Sequence, residues 1–134
     1  MVLTPTYYVY EMYKVHHDAA LIPINIETPM YQFDGKSVPA ISASASKDKA
    51  GKIHITLVNV NPDSDVEVNC DFRGENKKIN VTGTKIITAK DLNSYNTFEN
   101  PNVVVSGDFN KYKMNNNLLS IKMPSKSVVM IELD

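Results

Sequence analysis

Tryptophan is absent, cysteine occurs once and glycine only five times in 134 residues. Each scarcity removes a class of protein. The lone Cys70 cannot close an internal disulfide, and there is no Cys-x-x-Cys pair to hold zinc or run redox chemistry. There is no Gly-x-Gly-x-x-Gly turn and no Gly-x-x-x-x-Gly-Lys loop to cradle a phosphate. Lys and Arg number 14 against 15 Asp and Glu, a net charge of -1. Such a chain has no basic field for nucleic acid or an anionic membrane surface. No stretch approaches the 18 or so apolar residues that cross a bilayer, and no basic segment leads into an apolar run near Met1, so no membrane partner and no targeting address are expected on these residues. Without Trp, a sugar-stacking platform would have to come from seven Tyr and four Phe. Four of those tyrosines crowd into the opening segment, where packing is the plainer role.

What remains is an ordinary folded domain, 43% hydrophobic and 22% charged, too short for a (β/α)₈ barrel. Thr4 followed by Pro5 suits a helix entry, which predicts a helix over residues 5 to about 16. Its apolar stripe (Tyr8, Val9, Met12, Tyr13, Val15, flanked by Tyr7 and Tyr10) is too wide for a helix lying alone, so something should cover it. From Leu21 onward the period changes to two. Strands are expected at Ile22 to Ile26, Val38 to Ala45, Ile53 to Leu57, Val66 to Phe72, Lys78 to Thr82, Lys85 to Thr88, Val103 to Val105, Leu118 to Met123 and Ser127 to Leu133. Turn residues punctuate them at Asp34-Gly35, Lys47 to Gly51, Asn61-Pro62-Asp63, Arg73-Gly74, Ser106 to Asp108, Asn115 to Asn117 and Pro124-Ser125. This is the grammar of a β-sandwich, with a hairpin between Ala45 and Ile53 and a long Asn-rich loop over residues 89–103.

Chemistry is sparse. A glycosidase needs two carboxyl groups facing each other across a sugar. The acidic residues here, among them Asp34, Asp48, Asp63, Asp65, Glu75 and Asp108, fall in turns and on polar strand faces, where solvation accounts for them. His16-His17-Asp18 is the one dense group of metal-type ligands, yet adjacent residues on a helix point about 100° apart, and a helix C-terminus suits a histidine without any metal. His54 falls on the polar phase of a strand and is expected at the surface. Cys70 shares a strand face with Val66, Val68 and Phe72 and reads as core. The sequon Asn80-Val81-Thr82 lies within a strand prediction and carries no weight. No catalytic, cofactor-binding or metal residue is assigned.

Four stretches nevertheless resemble one family. Leu3-Thr4-Pro5-Thr6-Tyr7-Tyr8-Val9-Tyr10-Glu11-Met12-Tyr13-Lys14-Val15-His16 is similar to the segment where family 51 α-L-arabinofuranosidases leave their barrel. The run from Ala89 to Pro101, with Asn96-Thr97 and Asn100-Pro101, resembles a loop of that family's C-terminal β-sandwich. Ile55 to Asn59 resembles its central strand, and Leu119 to Val129 its last two strands.

The resemblance implies an all-β, jelly-roll-like β-sandwich over residues 19–134. It also implies that residues 1–18 are the last helix of a missing catalytic (β/α)₈ barrel. The parent enzyme would be a retaining α-L-arabinofuranosidase acting on terminal arabinofuranosyl units of arabinose-containing polysaccharides. Both catalytic glutamates would lie on the barrel, so none falls in this chain. The role left to these residues is structural, with the barrel as partner, a homo-oligomer as the assembly and no cofactor. Tyr8, Met12 and Tyr13 are then the candidates for packing on the barrel or on a second copy, and an isolated chain exposing them should self-associate. The alternative is a stand-alone carbohydrate-binding sandwich, with Tyr95, Phe98 and Tyr112 as candidate sugar contacts.

Overall fold

The computed structural model describes residues 1–74 and 77–134; Glu75, one of the acidic residues read as solvated, lies outside them. Helix α1 runs Pro5–Tyr13 and tightens into a 3₁₀ turn over Lys14–His16. Thr4 caps it by accepting the Tyr7 N–H at 3.3 Å, with Pro5 in the first turn as its fixed φ favours.

Ten strands follow among the described residues: β1 (Ala20–Leu21), β2 (Met30–Phe33), β3 (Lys36–Pro39), β4 (Ile41–Lys47), β5 (Ile53–Asn59), β6 (Val66–Asp71), β7 (Val81–Thr88), β8 (Tyr112–Asn115), β9 (Leu118–Met123) and β10 (Ser127–Leu133). They form an antiparallel five-stranded sheet ordered β1-β4-β5-β10-β7, a three-stranded sheet ordered β6-β9-β8, and a separate β2-β3 hairpin. The first two sheets pack face to face as a sandwich.

Two-residue alternation decides which side chains enter the core. Ile41, Ala45, Ile55, Leu57, Val129, Ile131 and Leu133 point inward from the large sheet and meet Leu119, Ile121 and Met123 of β9. Cys70, half-buried on β6, lines this core as the pattern required, and desolvation pushes its thiol up to about 11. The outward face of the same sheet carries a second, smaller cluster in which Met12 of α1 packs on Ile87, Val104 and Met130. The helix stripe is therefore covered, in part, by this chain's own sheet.

Several elements differ from the sequence reading. Only the start of the Ile22–Ile26 prediction pairs: the Ile22 N–H reaches Ala45 O at 3.0 Å, and Pro23 then supplies no donor. Ile24 and Ile26 end up exposed. The single strand expected over Val38 to Ala45 is two, broken after Pro39, where Ala40 turns its N–H to Pro29 O and its carbonyl to Val60 N. Conversely, the two strands expected at Lys78 to Thr82 and Lys85 to Thr88 are one. A register shift opposite Glu132 and Leu133 leaves Thr82 unopposed, so the alternation changes phase without a turn. Val103 to Val105 forms no strand, whereas β2 and β8 do form.

The Ala45 to Ile53 hairpin is observed, with Lys47 opposite Ile53. Asp48 organises its turn by accepting the N–H groups of Ala50 (2.9 Å) and Lys52 (3.0 Å), and Gly51 takes the left-handed φ of +90° that closes it.

Candidate functional site

Three places carry groups that chemistry or recognition could use: the polar end of the outward sheet face, the aromatic helix, and the loop over residues 89–105. The outward face changes character along β5. Its Val58 end faces apolar residues, while its Thr56 and His54 end is polar. His54 is 4% exposed, not the surface imidazole expected. The reason is that the hairpin turn folds Asp48 back over the ring: Nε2 bonds Asp48 Oδ2 at 3.0 Å and Nδ1 faces Glu132 Oε2 at 3.9 Å. Glu132 in turn accepts from Lys52 Nζ at 2.7 Å and Thr82 Oγ1 at 2.8 Å. Next to this network, His16 sets Nδ1 on Ser46 Oγ and Nε2 on Thr56 Oγ1, each at 2.7 Å. His17 and Asp18 stay out in solvent, 3.6 Å from each other. The His16-His17-Asp18 run is thus pulled apart, one member into the sheet and two away from it. Among the described residues no three His, Cys, Asp or Glu side chains converge as a metal site would require.

Asp48 and Glu132 are two carboxylates that flank the same ring, His54, and their electrostatics are wrong for a general acid. The His54 hydrogen bond holds Asp48 below its ordinary value, and the Lys52 hydrogen bond does the same for Glu132. A general acid needs the opposite shift, and the buried imidazole fills the space a sugar would occupy.

The aromatic candidates separate in a similar way. Met12, named as a packing candidate, is 1% exposed and packs on this chain's own β7 and β10; Tyr8 and Tyr13 are half-buried beside the sheet. The rings that face outward from the helix are Tyr7 and Tyr10, at 45% and 75% exposed. The sequence overlooked this pair because a stripe this wide cannot say which half the sheet will take. Tyr112 stacks on Phe109, centroids 6.4 Å apart and 28° between planes, at the margin of the inner core. Tyr95 and Phe98 are exposed on the loop, and among the described residues no ring pair joins them to each other or to Tyr112.

That loop is held by one side chain. Asn96 Oδ1 accepts the Val104 N–H at 2.7 Å, while Nδ2 donates to the carbonyls of Val104 and Leu3, both at 2.8 Å. Asn96 does for Val104 what a neighbouring strand would do, which is why the Val103 to Val105 segment needs no ladder. It also ties the loop to the residue that precedes the helix cap. Thr97 and Asn100 close the next turn through Thr97 N to Asn100 O (3.1 Å) and Asn100 N to Thr97 Oγ1 (3.0 Å).

A model of the family described as Alpha-L-arabinofuranosidase C-terminal domain matches residues 1–127, taking in the helix, the sandwich strands as far as β9 and this Asn96 loop. The chain belongs to that family. Among curated proteins this arabinofuranosidase C-terminal domain is 46% identical over 134 residues to an intracellular exo-alpha-L-arabinofuranosidase of Bacteroides ovatus, covering 99% of the chain and 26% of that protein. Among solved structures it is similar to the family 51 arabinofuranosidase of Xanthomonas axonopodis pv. citri, with a TM-score of 0.94, 32% identity, and coverage of 100% of this chain and 27% of that one. It is also similar to the thermostable family 51 α-L-arabinofuranosidase of Thermotoga petrophila, with a TM-score of 0.79, 25% identity, and coverage of 99% and 29%. The arabinofuranosidase C-terminal domain therefore spans about a quarter of the length of the relatives it matches.

In this domain a groove of about 310 Å³ lies beneath residues 89–94, between Pro5 and the ends of β5 and β10. Val58, Ile87, Leu92 and Val104 give it a mainly apolar lining, and Asp91 is its one carboxylate. A single carboxylate does not make the paired acids that a hydrolase needs.

Proposed function

We propose that the chain is the non-catalytic closing domain of a larger α-L-arabinofuranosidase, with residues 1–18 as the last helix of the catalytic barrel and residues 19–134 as the sandwich that packs on it. The two-sided helix carries this reading. Met12 and Tyr8 bind α1 to the sandwich while Tyr7 and Tyr10 are left facing away from it, which is what a helix needs if it is shared between two bodies. The parent enzyme would remove terminal arabinofuranosyl units with retention of configuration, using carboxylates that lie outside this chain. Homo-oligomeric assembly belongs to the same proposal.

The test is complementation. A barrel segment from the parent gene is expressed alone and with this chain, and arabinose release from an aryl arabinofuranoside is followed. Activity that needs both pieces, and that falls when Tyr7 and Tyr10 are both changed to Ser, is expected. Release by this chain alone, or full activity of the barrel without it, would overturn the proposal.

The exposed Tyr95 and Phe98 favour a second reading, a carbohydrate-binding surface on the Asn96 loop. Tyr112 drops out of it, being engaged with Phe109. Retardation in gels containing arabinan or arabinoxylan, abolished by Tyr95→Ala with Phe98→Ala, is the result this reading requires.

A further inference from the structure

The helical segment is tied to the sheet through a side chain that can change charge close to neutral pH. Both ring nitrogens of His16 are taken by hydroxyls, Ser46 Oγ and Thr56 Oγ1, each at 2.7 Å, and those two residues are 3% and 0% exposed. A neutral imidazole offers one donor and one acceptor, so one hydroxyl receives a proton from the ring and the other gives one to it. An imidazolium offers two donors. The hydroxyl that had been donating must then turn its own proton away from the ring, and the hydrogen-bond pattern of the neutral clasp is lost.

The groups facing His16 do not compensate its charge. On its own segment the Tyr13 ring lies 5.7 Å away, centroid to centroid. From β4 comes Ser46, and from β5 come Thr56 and, two residues earlier on the same face, His54. Asp48 at the hairpin turn and Glu132 on β10 are the carboxylates behind them, and both are committed to His54, Lys52 and Thr82.

We infer that His16 is a proton-operated clasp: neutral, it fastens the C-terminal end of the helical segment Pro5 to His16 to β4 and β5, and taking up a proton loosens that segment from the sheet while the two-sheet core stays folded. Burial and the neighbouring His54 both act to lower the His16 pKa, the direction a clasp that binds its neutral form requires. The separation of clusters explains why release stays local. No residue of α1 belongs to the inner core between the sheets, so undocking the helix opens only the smaller outer cluster.

The experiment is hydrogen exchange of the 134-residue chain read by mass spectrometry between pH 7.5 and 5.0, corrected for intrinsic exchange, together with NMR titration of the histidine rings. Peptides from residues 5–17 should lose protection as pH falls. The gain in opening is at most about 30-fold at pH 5, set by an undocked ring that titrates near 6.5. Peptides from β5 and β10 should stay protected. His16→Gln, whose amide keeps one donor and one acceptor but cannot charge, should remove the pH response, and His54→Gln should keep it. A response that survives in H16Q, disappears in H54Q, or is absent from the unaltered chain would overturn the clasp. If H16Q fails to fold, the unaltered chain decides: the His16 titration midpoint must coincide with helix opening, and a ring that titrates while the helix stays protected overturns the inference.

Discussion

The two faces of the five-stranded sheet are built from the same strands, residue by alternating residue, yet they are stabilised differently. The inward face meets another sheet and is apolar along its middle, with Val129, Ile131 and Leu133 of β10 fully buried against β9 and polar Asn59 and Ser127 only at its end. The outward face meets a single nine-residue helix, which covers only its β7–β10 half. The rest closes with His16, Ser46, Thr56 and His54 in a polar seam. A sheet gives both faces the same regular surface, but a helix is too narrow to cover one. The uncovered part must be polar and internally satisfied, or be buried by another body.

Substitutions can break this contrast at its strong end first. Ile131→Ala, at the centre of the inward face, should cost about 2–5 kcal/mol, read as a fall in the urea midpoint. A loss below 1 kcal/mol would mean that the two sheets are not the main source of stability. Met12→Ala removes the anchor of the outward cluster and should cost about 2 kcal/mol, the low end for such a change, because a helix edge can relax into the space. Asn96→Ala leaves three backbone groups unmatched and should cost about 1–2 kcal/mol. It should also raise proteolytic nicking within residues 89–105, which neither core substitution should do.

Acid sharpens the comparison more gently. The Asp48 and Glu132 carboxyls lie below their ordinary values of 3.8 and 4.5 in the folded chain, so their stabilisation is present near neutrality and is lost as pH falls through the folded values. His16 also lies below its ordinary 6.5, so the unfolded ring gains its proton first and stability starts to fall below about pH 6.5. The melting temperature should be flat from pH 8 to 7, decline below 6.5 and drop further below about 4. A maximum near pH 5 would contradict the sign of the His16 shift, and a melting temperature that does not drop below about pH 4 would contradict the two carboxylates. The smallest effect is on the inward face. With its thiol pushed up to about 11, Cys70 should be ionised in only about one molecule in a thousand at pH 8 and label slowly with an aromatic disulfide reagent until the chain is unfolded.

Much of this architecture is legible in the residues. The Thr4-Pro5 helix entry, the Ala45 to Ile53 hairpin and the long apolar alternations of β5, β6, β9 and β10 are local signals, each strong enough to survive without knowledge of its neighbours. Where the reading went wrong, the missing information was a partner. Ile24 and Ile26 alternate like a strand but follow Pro23, and no edge receives them. Val103 to Val105 is β-branched throughout, yet its central residue pairs with the Asn96 side chain instead of a strand. His54 sits on the polar phase, and only the return of the Asp48 turn buries it.

The sequence by itself determined the fold class, through periodicity and turn chemistry, and the membership of the arabinofuranosidase C-terminal family, through the stretches that resemble it. Only the tertiary structure decided that Met12 faces inward while Tyr7 and Tyr10 face out, and that His16 and His54 enter the sheet while His17 does not. A helical stripe fixes which residues lie together on a surface, but which half of that surface is covered depends on an element far away in the chain.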